Sequence, residues 1–449
     1  MSVSFSCCAV PAYAMANLMS SQYPNAAVLS LGARRGVRGA ILFTAFTILS
    51  HFCTLAVMLV LSNVLGPERY GAVTFGLTMQ SYFFLLGGLG IKQIIIYRGT
   101  QYPKNLDRLF TAHLTVTGLA SGCVGAAAIL GAYFEPISSE ERVLLCFLAV
   151  GNVIACLNIQ PLFDAHHHQA KSAAVALVVE AIGLLFIVAA RSAEWLGVET
   201  AGAFLAGKWV VNATIHHLVY HYKVRRLRLE FVRADVRALV RSGWPLFLAA
   251  LVAGIPFNIG VIFLRFFQGE ADVALLGLGQ QAAAAYILAA TIGIRIVQPY
   301  VYGPRGLEMA FAYKLAFSYG VFLVIVLVGM GSAAVVIVGW LLDSAYRSAL
   351  GPMLVLLGGA FVYGIGGLTS VYLIRFGQER IVLRANACAA IFYLAAGCFV
   401  IPSWSCAGAA FLTVVSAAIA SGLLIAQLWI CVRNGMTGTD RTYHSVISG

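Results

Sequence analysis

Charge is what this chain has least of. Charged residues make up 10% of its 449 residues and hydrophobic residues 61%, where a soluble domain carries about 25% charge. That balance excludes a mainly water-exposed protein. Signatures of soluble catalysis are missing too: there is no GxxxxGK[ST] phosphate loop, no HExxH and no nucleophile elbow. The stretches between apolar runs are too short to house a glycosyltransferase or nucleotide-binding fold, so no enzyme is expected. The 10 cysteines include no CxxC pair, which leaves a zinc site or redox motif without support. Cys53, Cys123, Cys146, Cys156, Cys388, Cys398 and Cys431 lie inside apolar runs and read as small buried hydrophobes. No cofactor or metal is expected. Residues 1–33 contain no Lys, Arg, Asp or Glu. Neither the basic start nor the compact apolar core of a secretory signal is clear there, so they are expected to form a disordered extension, with later starts available at Met15 and Met19.

What the chain has in abundance is long apolar runs. Only helices and closed barrels satisfy the backbone inside lipid, and continuous runs rather than strict alternation exclude a barrel. The expected fold class is therefore an all-α polytopic membrane protein. Runs over 40–63, 71–93, 109–132, 142–162, 171–191, 198–221, 242–264, 274–298, 314–341, 350–374, 381–401 and 408–432 predict about twelve transmembrane helices, each near the roughly 20 residues a crossing needs. Two hairpins repeat half a chain apart. Gly66-Pro67-Glu68 separates the runs Ala40 to Leu61 and Ala72 to Ile96, and Gly269-Glu270 separates Phe247 to Phe267 from Val273 to Val297. Proline cannot continue a helix ending before it, and glycine frees the reversal. The repeat predicts two pseudo-symmetric six-helix bundles, residues 34–221 and 242–433, joined by a basic linker at 222–241 and followed by a tail at 434–449.

The net charge of +12 sorts by loop and does not imply nucleic-acid binding. One alternate set of loops holds most Lys and Arg, including Arg34, Arg35, Arg38, Lys92, Arg98, Lys104, Arg108 and the run Lys223 to Arg241; the other is acid-rich, with Glu68, Glu135, Glu140, Glu141, Glu194, Glu199, Glu270, Asp272 and Asp343. The positive-inside rule places the basic set and both termini in the cytoplasm. Within the linker, Val224, Leu227, Phe231 and Val236 allow an interfacial helix with its arginines outward. His166-His167-His168 reads as a solvated loop rather than a metal site, because adjacent residues cannot share a helix face.

Ionisable residues inside a span default to function or to pairing. Thr44, Thr47, His51 and Thr54 share one face of the first helix, which leaves His51 open between a hydrogen-bonded structural role and a place on a pathway. Glu180 in the fifth helix and Lys208 in the sixth fall at similar depth. They predict a structural ion pair, with proton coupling at Glu180 as the alternative. In the seventh helix Pro256 breaks the ladder, and Asn258 and Arg265 share a face. Thr291, Arg295, Gln298 and Tyr302 stripe the eighth. Arginine's planar fork suits a phosphate, but both arginines also have the reach to snorkel.

Several stretches together resemble a known family. They are Leu65-Gly66-Pro67-Glu68-Arg69-Tyr70-Gly71, Gly87-Gly88-Leu89-Gly90, Ser242-Gly243-Trp244-Pro245-Leu246, and Ile401-Pro402-Ser403 followed by Ala407-Gly408-Ala409-Ala410. In this order and spacing they resemble the polysaccharide transporters, the O-antigen and exopolysaccharide flippases, of the multidrug/oligosaccharidyl-lipid/polysaccharide exporter superfamily. The Gly87 stretch lacks the family's usual acidic-aliphatic lead-in. The resemblance implies two six-helix bundles in a V, with helices one, two, seven and eight around a central cavity. It implies movement of undecaprenyl-pyrophosphate-linked oligosaccharide between leaflets of a bacterial inner membrane by alternating access. The substrate-binding residues expected are Arg295, Arg265, His51, Asn258, Gln298 and Thr291, in a cationic cavity, with membrane lipid and polysaccharide polymerase or assembly proteins as partners. A drug/cation antiporter is the rival within the superfamily, disfavoured because Glu180 is the only acid inside a span. A membrane polymerase or ligase is the rival from another class, disfavoured by the short outward loops.

Overall fold

The structure, a computed structural model, describes residues 26–101, 105–135, 137–165, 168–226, 228–302, 309–376 and 378–433. The expectations for residues 1–25, for His166 and His167 and for the tail lie outside the described residues. Every regular element among the described residues is helical. Nine stretches of the described residues are long and apolar enough to cross a membrane. Two of them are double. The helix Ala26–Gly88 breaks at Gly66 (φ 71°) into α1, residues 26–65, and α2, residues 67–88. The helix Glu379–Arg433 breaks at Ser405 (φ 49°) into α11, residues 379–404, and α12, residues 406–433.

The remaining long helices are α3 (Leu106–Phe134), α4 (Ser139–Cys156), α5 (Gln169–Ser192), α6 (Val198–Lys223), α7 (Arg233–Phe267), α8 (Glu270–Tyr302), α9 (Met309–Val336) and α10 (Leu350–Arg375). α6 falls outside the nine because it carries Lys208, Asn212, His216 and His217. Twelve rods result, as the apolar runs predict. Most packing lies within the first six or within the last six. Between the two bundles the contacts run from α1 and α2 to α7 and α8, and from α3 and the short helix Ile91–Gln101 to α7.

Both predicted hairpins form, and both turn on a glycine with positive φ, Gly66 at 71° and Gly269 at 123°. Their tips meet on the acidic-loop face. A Cβ at Gly71 would collide with the Glu270 carbonyl, and one at Gly277 with the Thr74 side chain. Glycine here lets the hairpins close in, backbone against backbone at Gly71 and backbone against the Thr74 side chain at Gly277. Gly277→Val is expected to cost about 1–3 kcal/mol through overpacking, read as a lower unfolding midpoint of the detergent-solubilised protein.

Two expectations need correction. α1 is helical from Ala26, so residues 26–33 are not irregular chain. The linker does not form a separate interfacial helix: residues 233–241 are the first turns of α7, and 224–226 and 228–232 are irregular. The reason is local. Asp107 of α3 accepts from the Arg225 guanidinium at 2.8 Å and from the Arg228 backbone N–H at 3.2 Å. The Thr111 hydroxyl accepts from the Glu230 N–H at 2.8 Å. Side chains of α3 thus take the donors that a helix would have used.

Candidate functional site

Between α2, α7 and α8 lies a partly open hollow with a cavity volume of about 60 Å³. Thr74, Thr78 and Ser81 line it from α2, Phe257 and Asn258 from α7, and Gln280, Gln281 and Ile287 from α8. Pro256 shapes it locally. A proline inside a helix removes the ladder donor to the carbonyl four residues back, and the Pro256 and Phe257 carbonyls additionally accept side-chain donors. The Thr413 hydroxyl donates to the Pro256 carbonyl at 3.1 Å, and the Gln280 amide donates to the Phe257 carbonyl. Among the described residues, none lining the hollow is charged. The described lining of this hollow is polar and neutral, and Arg265, Arg295 and His51 are not among it.

Of the expected binding residues, Asn258 alone lines the hollow. Arg265 stands seven residues further along α7, about 10 Å of helix rise, and is occupied. Its guanidinium bonds Glu141 at 2.5 Å and also Glu270, over the Phe75 ring. Glu141 belongs to the first bundle and Glu270 to the second, so Arg265 ties the bundles together on the acidic-loop face. The capping box of α4 fixes the clamp's far jaw. The Glu141 N–H donates to the Ser138 hydroxyl, and the Ser138 N–H donates to Glu141 Oε2, which leaves Oε1 for Arg265. Asn63 reinforces the closure by donating to the Leu341 carbonyl at 2.7 Å and accepting from the Asp343 N–H at 3.0 Å. The Tyr346 hydroxyl donates to the Ser62 carbonyl at 2.9 Å. The hollow is shut on this face.

Arg295 lies at the other end of α8, fourteen residues or about 21 Å from Gln281. Its guanidinium stacks 5.7 Å from the Phe43 ring of α1 and forms no ion pair among the described residues. Thr291 and Gln298 are half-buried beside it on the same face. Nearby is a residue that the sequence reading left in a loop. Lys92, in the short helix Ile91–Gln101, bonds Gln160 at 3.5 Å. Burial pushes its ammonium below the ordinary lysine value; Asp164 opposes the fall and Arg295 adds to it. Two cations from different bundles thus stand within electrostatic reach of each other on the basic-loop face, accompanied by one carboxylate.

His51 is elsewhere. It lies within electrostatic reach of Glu180 and Lys208, and its Nδ1 is buried without a hydrogen-bond partner among the described residues. The Lys208 ammonium meets both Glu180 oxygens, at 3.1 and 3.3 Å, with side chains 5% and 17% exposed. This group sits inside the first bundle, apart from the hollow. Sequence reasoning missed Thr74, Thr78, Ser81, Gln280, Gln281 and Lys92. The steps of four and three between Thr74, Thr78 and Ser81 were an available signal.

A polar hollow between two helical bundles, closed on one face and flanked by a cationic pair towards the other, is the arrangement of a membrane transporter. Residues 37–301, more than half of the chain, match the family described as polysaccharide biosynthesis protein; the chain belongs to that family. No curated protein matches it. Among solved structures it is similar to the lipid II flippase MurJ in an inward closed conformation, with a TM-score of 0.72, 11% identity and 87% of both chains covered. It is also similar to an inward-facing multidrug resistance MATE transporter of the MOP superfamily, with a TM-score of 0.66, 16% identity and 90% of this chain and 100% of that one covered. A third likeness is to a point mutant of the Vibrio cholerae MATE transporter VcmN, with a TM-score of 0.61, 13% identity and 89% and 98% covered. These likenesses show that the fold is shared.

Proposed function

We propose that this protein moves a lipid-linked oligosaccharide with an anionic pyrophosphate, of the undecaprenyl class, from the inner to the outer leaflet by alternating access, for exopolysaccharide or O-antigen assembly. In this reading the basic-loop face is cytoplasmic, the membrane is the bacterial inner membrane, and polysaccharide polymerase and assembly proteins act downstream. The observation that carries it is the approach of Lys92 and Arg295 from different bundles, with Asp164 as their one neighbouring carboxylate and Arg295 in no direct ion pair among the described residues. An arginine fork and a half-buried ammonium at headgroup depth suit a diphosphate. Thr291 and Gln298 extend the same face with neutral hydrogen-bonding groups, and the polyprenyl tail stays in lipid. A cation antiporter is disfavoured because no carboxylate lines the hollow among the described residues.

Sealed proteoliposomes with labelled lipid-linked oligosaccharide in one leaflet separate the readings. Movement of label to the other leaflet supports transport. Polymer formation would mark an enzyme, and an inert label would remove the proposal. Charge-assisted hydrogen bonds contribute about 1.5–3 kcal/mol each. Arg295→Ala and Lys92→Met are therefore each expected to weaken binding of undecaprenyl pyrophosphate by about tenfold or more, measured by titration in detergent.

A further inference from the structure

We propose that the exposed face of the first turns of α7 is a docking site for the headgroup of an anionic phospholipid in the leaflet on the basic-loop side. The site stands apart from the transport reading and uses none of the residues assigned to it. Arg233, Arg237, Arg241 and Trp244 follow at steps of four, four and three, so they stripe one face of the helix. All four are exposed. None of the three arginines forms an ion pair among the described residues. Just before them, in the irregular stretch 228–232, the side chains of Leu229 and Phe231 are exposed as well.

The stripe has a fixed direction. On other sides of α7, Asp235 accepts from the Arg108 guanidinium of α3 at 2.9 Å, and the Ser242 hydroxyl accepts from Arg98 at 3.3 Å. Leu239 is fully buried in a cluster with Ile91, Leu106 and Tyr220, and a Cβ at Gly243 would collide with the Leu89 carbonyl. These contacts hold one side of α7 against the first bundle and leave the arginine face outward. Of the neighbouring acids, Asp235 is committed to Arg108 and Asp107 to Arg225. Glu230 is left against three arginines.

Depth and chemistry select the ligand. α7 carries the stripe without a break into an apolar span. From Trp244 the helix rises about 5 Å to Arg241 and about 10 Å to Arg237, and a headgroup layer is roughly 5–8 Å deep. Tryptophan prefers that layer, so Trp244 sets these two arginines beside the phosphates, and Arg233 reaches back along its own stem. The guanidinium fork pairs with phosphate oxygens. Basic residues that only set topology need no common face; these share one with an aromatic anchor. Leu229 and Phe231 add apolar tips of the kind that enter a lipid interface, which favours a membrane surface over a soluble acidic protein.

The test places the full chain in nanodiscs of equimolar phosphatidylglycerol and phosphatidylcholine with matched acyl chains. The protein is then extracted in mild detergent, and its retained lipids are measured by mass spectrometry. Wild type is expected to retain phosphatidylglycerol about tenfold over phosphatidylcholine, the equivalent of roughly 1.4 kcal/mol. Arg233→Gln, Arg237→Gln and Arg241→Gln together should erase that preference. Arg380→Gln, Arg384→Gln and Arg433→Gln together remove the same charge from exposed positions of α11 and α12 and should leave it intact. A second readout needs no arginine variant. The Trp244 fluorescence, isolated by difference from Trp244→Phe, should be quenched more by brominated phosphatidylglycerol than by brominated phosphatidylcholine. Equal loss in both triple variants, or equal quenching by the two brominated lipids, overturns the site. No lipid preference in wild type overturns it too, and assigns the stripe to an acidic protein partner instead.

Discussion

Arg265→Met is expected to destabilise the protein by about 3 kcal/mol and to loosen the acidic-loop face. The arginine holds Glu141 and Glu270 at once. Glu141 is 5% exposed, and its other oxygen is engaged in the cap of α4, so it cannot swing out to water without uncapping that helix. Removing one partner of a buried ion pair costs about 3–5 kcal/mol, because the remaining charge stays desolvated. The low end applies here, since the Arg265 side chain is 19% exposed and solvent screens part of the effect. Two carboxylates left facing each other also repel, and this pushes the bundles apart where the hairpin tips meet. A second substitution separates this account from general damage. Glu141→Gln added to Arg265→Met should regain part of the loss, because it removes the stranded charge. Unfolding midpoints of the three proteins in the same detergent decide it; no recovery in the double variant would contradict the clamp.

Lys208→Met is expected to cost about 3–5 kcal/mol as well. The pair it breaks lies inside one bundle. Lys208 is 5% exposed and Glu180 17%, and the ammonium bridges both carboxylate oxygens. The double variant Glu180→Gln with Lys208→Met removes both charges, and apolar or neutral groups in a buried site are often no worse than the pair they replace. It is expected to recover most of the stability lost by Lys208→Met alone. The double variant also separates structure from coupling. If Glu180 carries a proton during transport, with His51 beside it, the restored fold will still fail to drive transport from a proton gradient. If the pair is structural only, transport returns with stability.

The two clamps show what a sequence does and does not reveal. Depth along two antiparallel helices is enough to pair Glu180 with Lys208, since both lie mid-span in neighbouring helices. The hairpin tips at Gly66 and Gly269 were legible from glycine and proline between apolar runs, and so was the total of twelve helices. Arg265 was legible as a polar residue on the Asn258 face, but not its partner. Glu141 lies 124 positions away, and in sequence it is one of several acids in a short loop. Packing of separate bundles brings them together, and no local pattern encodes that.

The residues that line the hollow escaped sequence reading for a related reason. Charges in spans draw attention, so Arg265, Arg295 and His51 pointed to a cationic cavity. Each was instead engaged near or beyond the hollow's ends or inside one bundle, while threonines, a serine and two glutamines did the lining. The four- and three-residue steps of Thr74, Thr78 and Ser81 were visible in the sequence, but hydroxyl residues are common in transmembrane helices because they bond their own backbone, so that stripe carried less weight than the charges. Lys92 was read as loop charge because its place beside Arg295 depends on how the short helix after α2 folds back.

The central claim is that the headgroup leaves through the acidic-loop face once the bundles part there. Spin labels at Arg69→Cys and Ser344→Cys, exposed positions on the two bundles, report the gap directly on a background without other reactive cysteines. The account predicts one short distance in the unliganded protein and a second, longer population when undecaprenyl-pyrophosphate-linked oligosaccharide is added. A single distance, unchanged by that substrate at saturation, would contradict it.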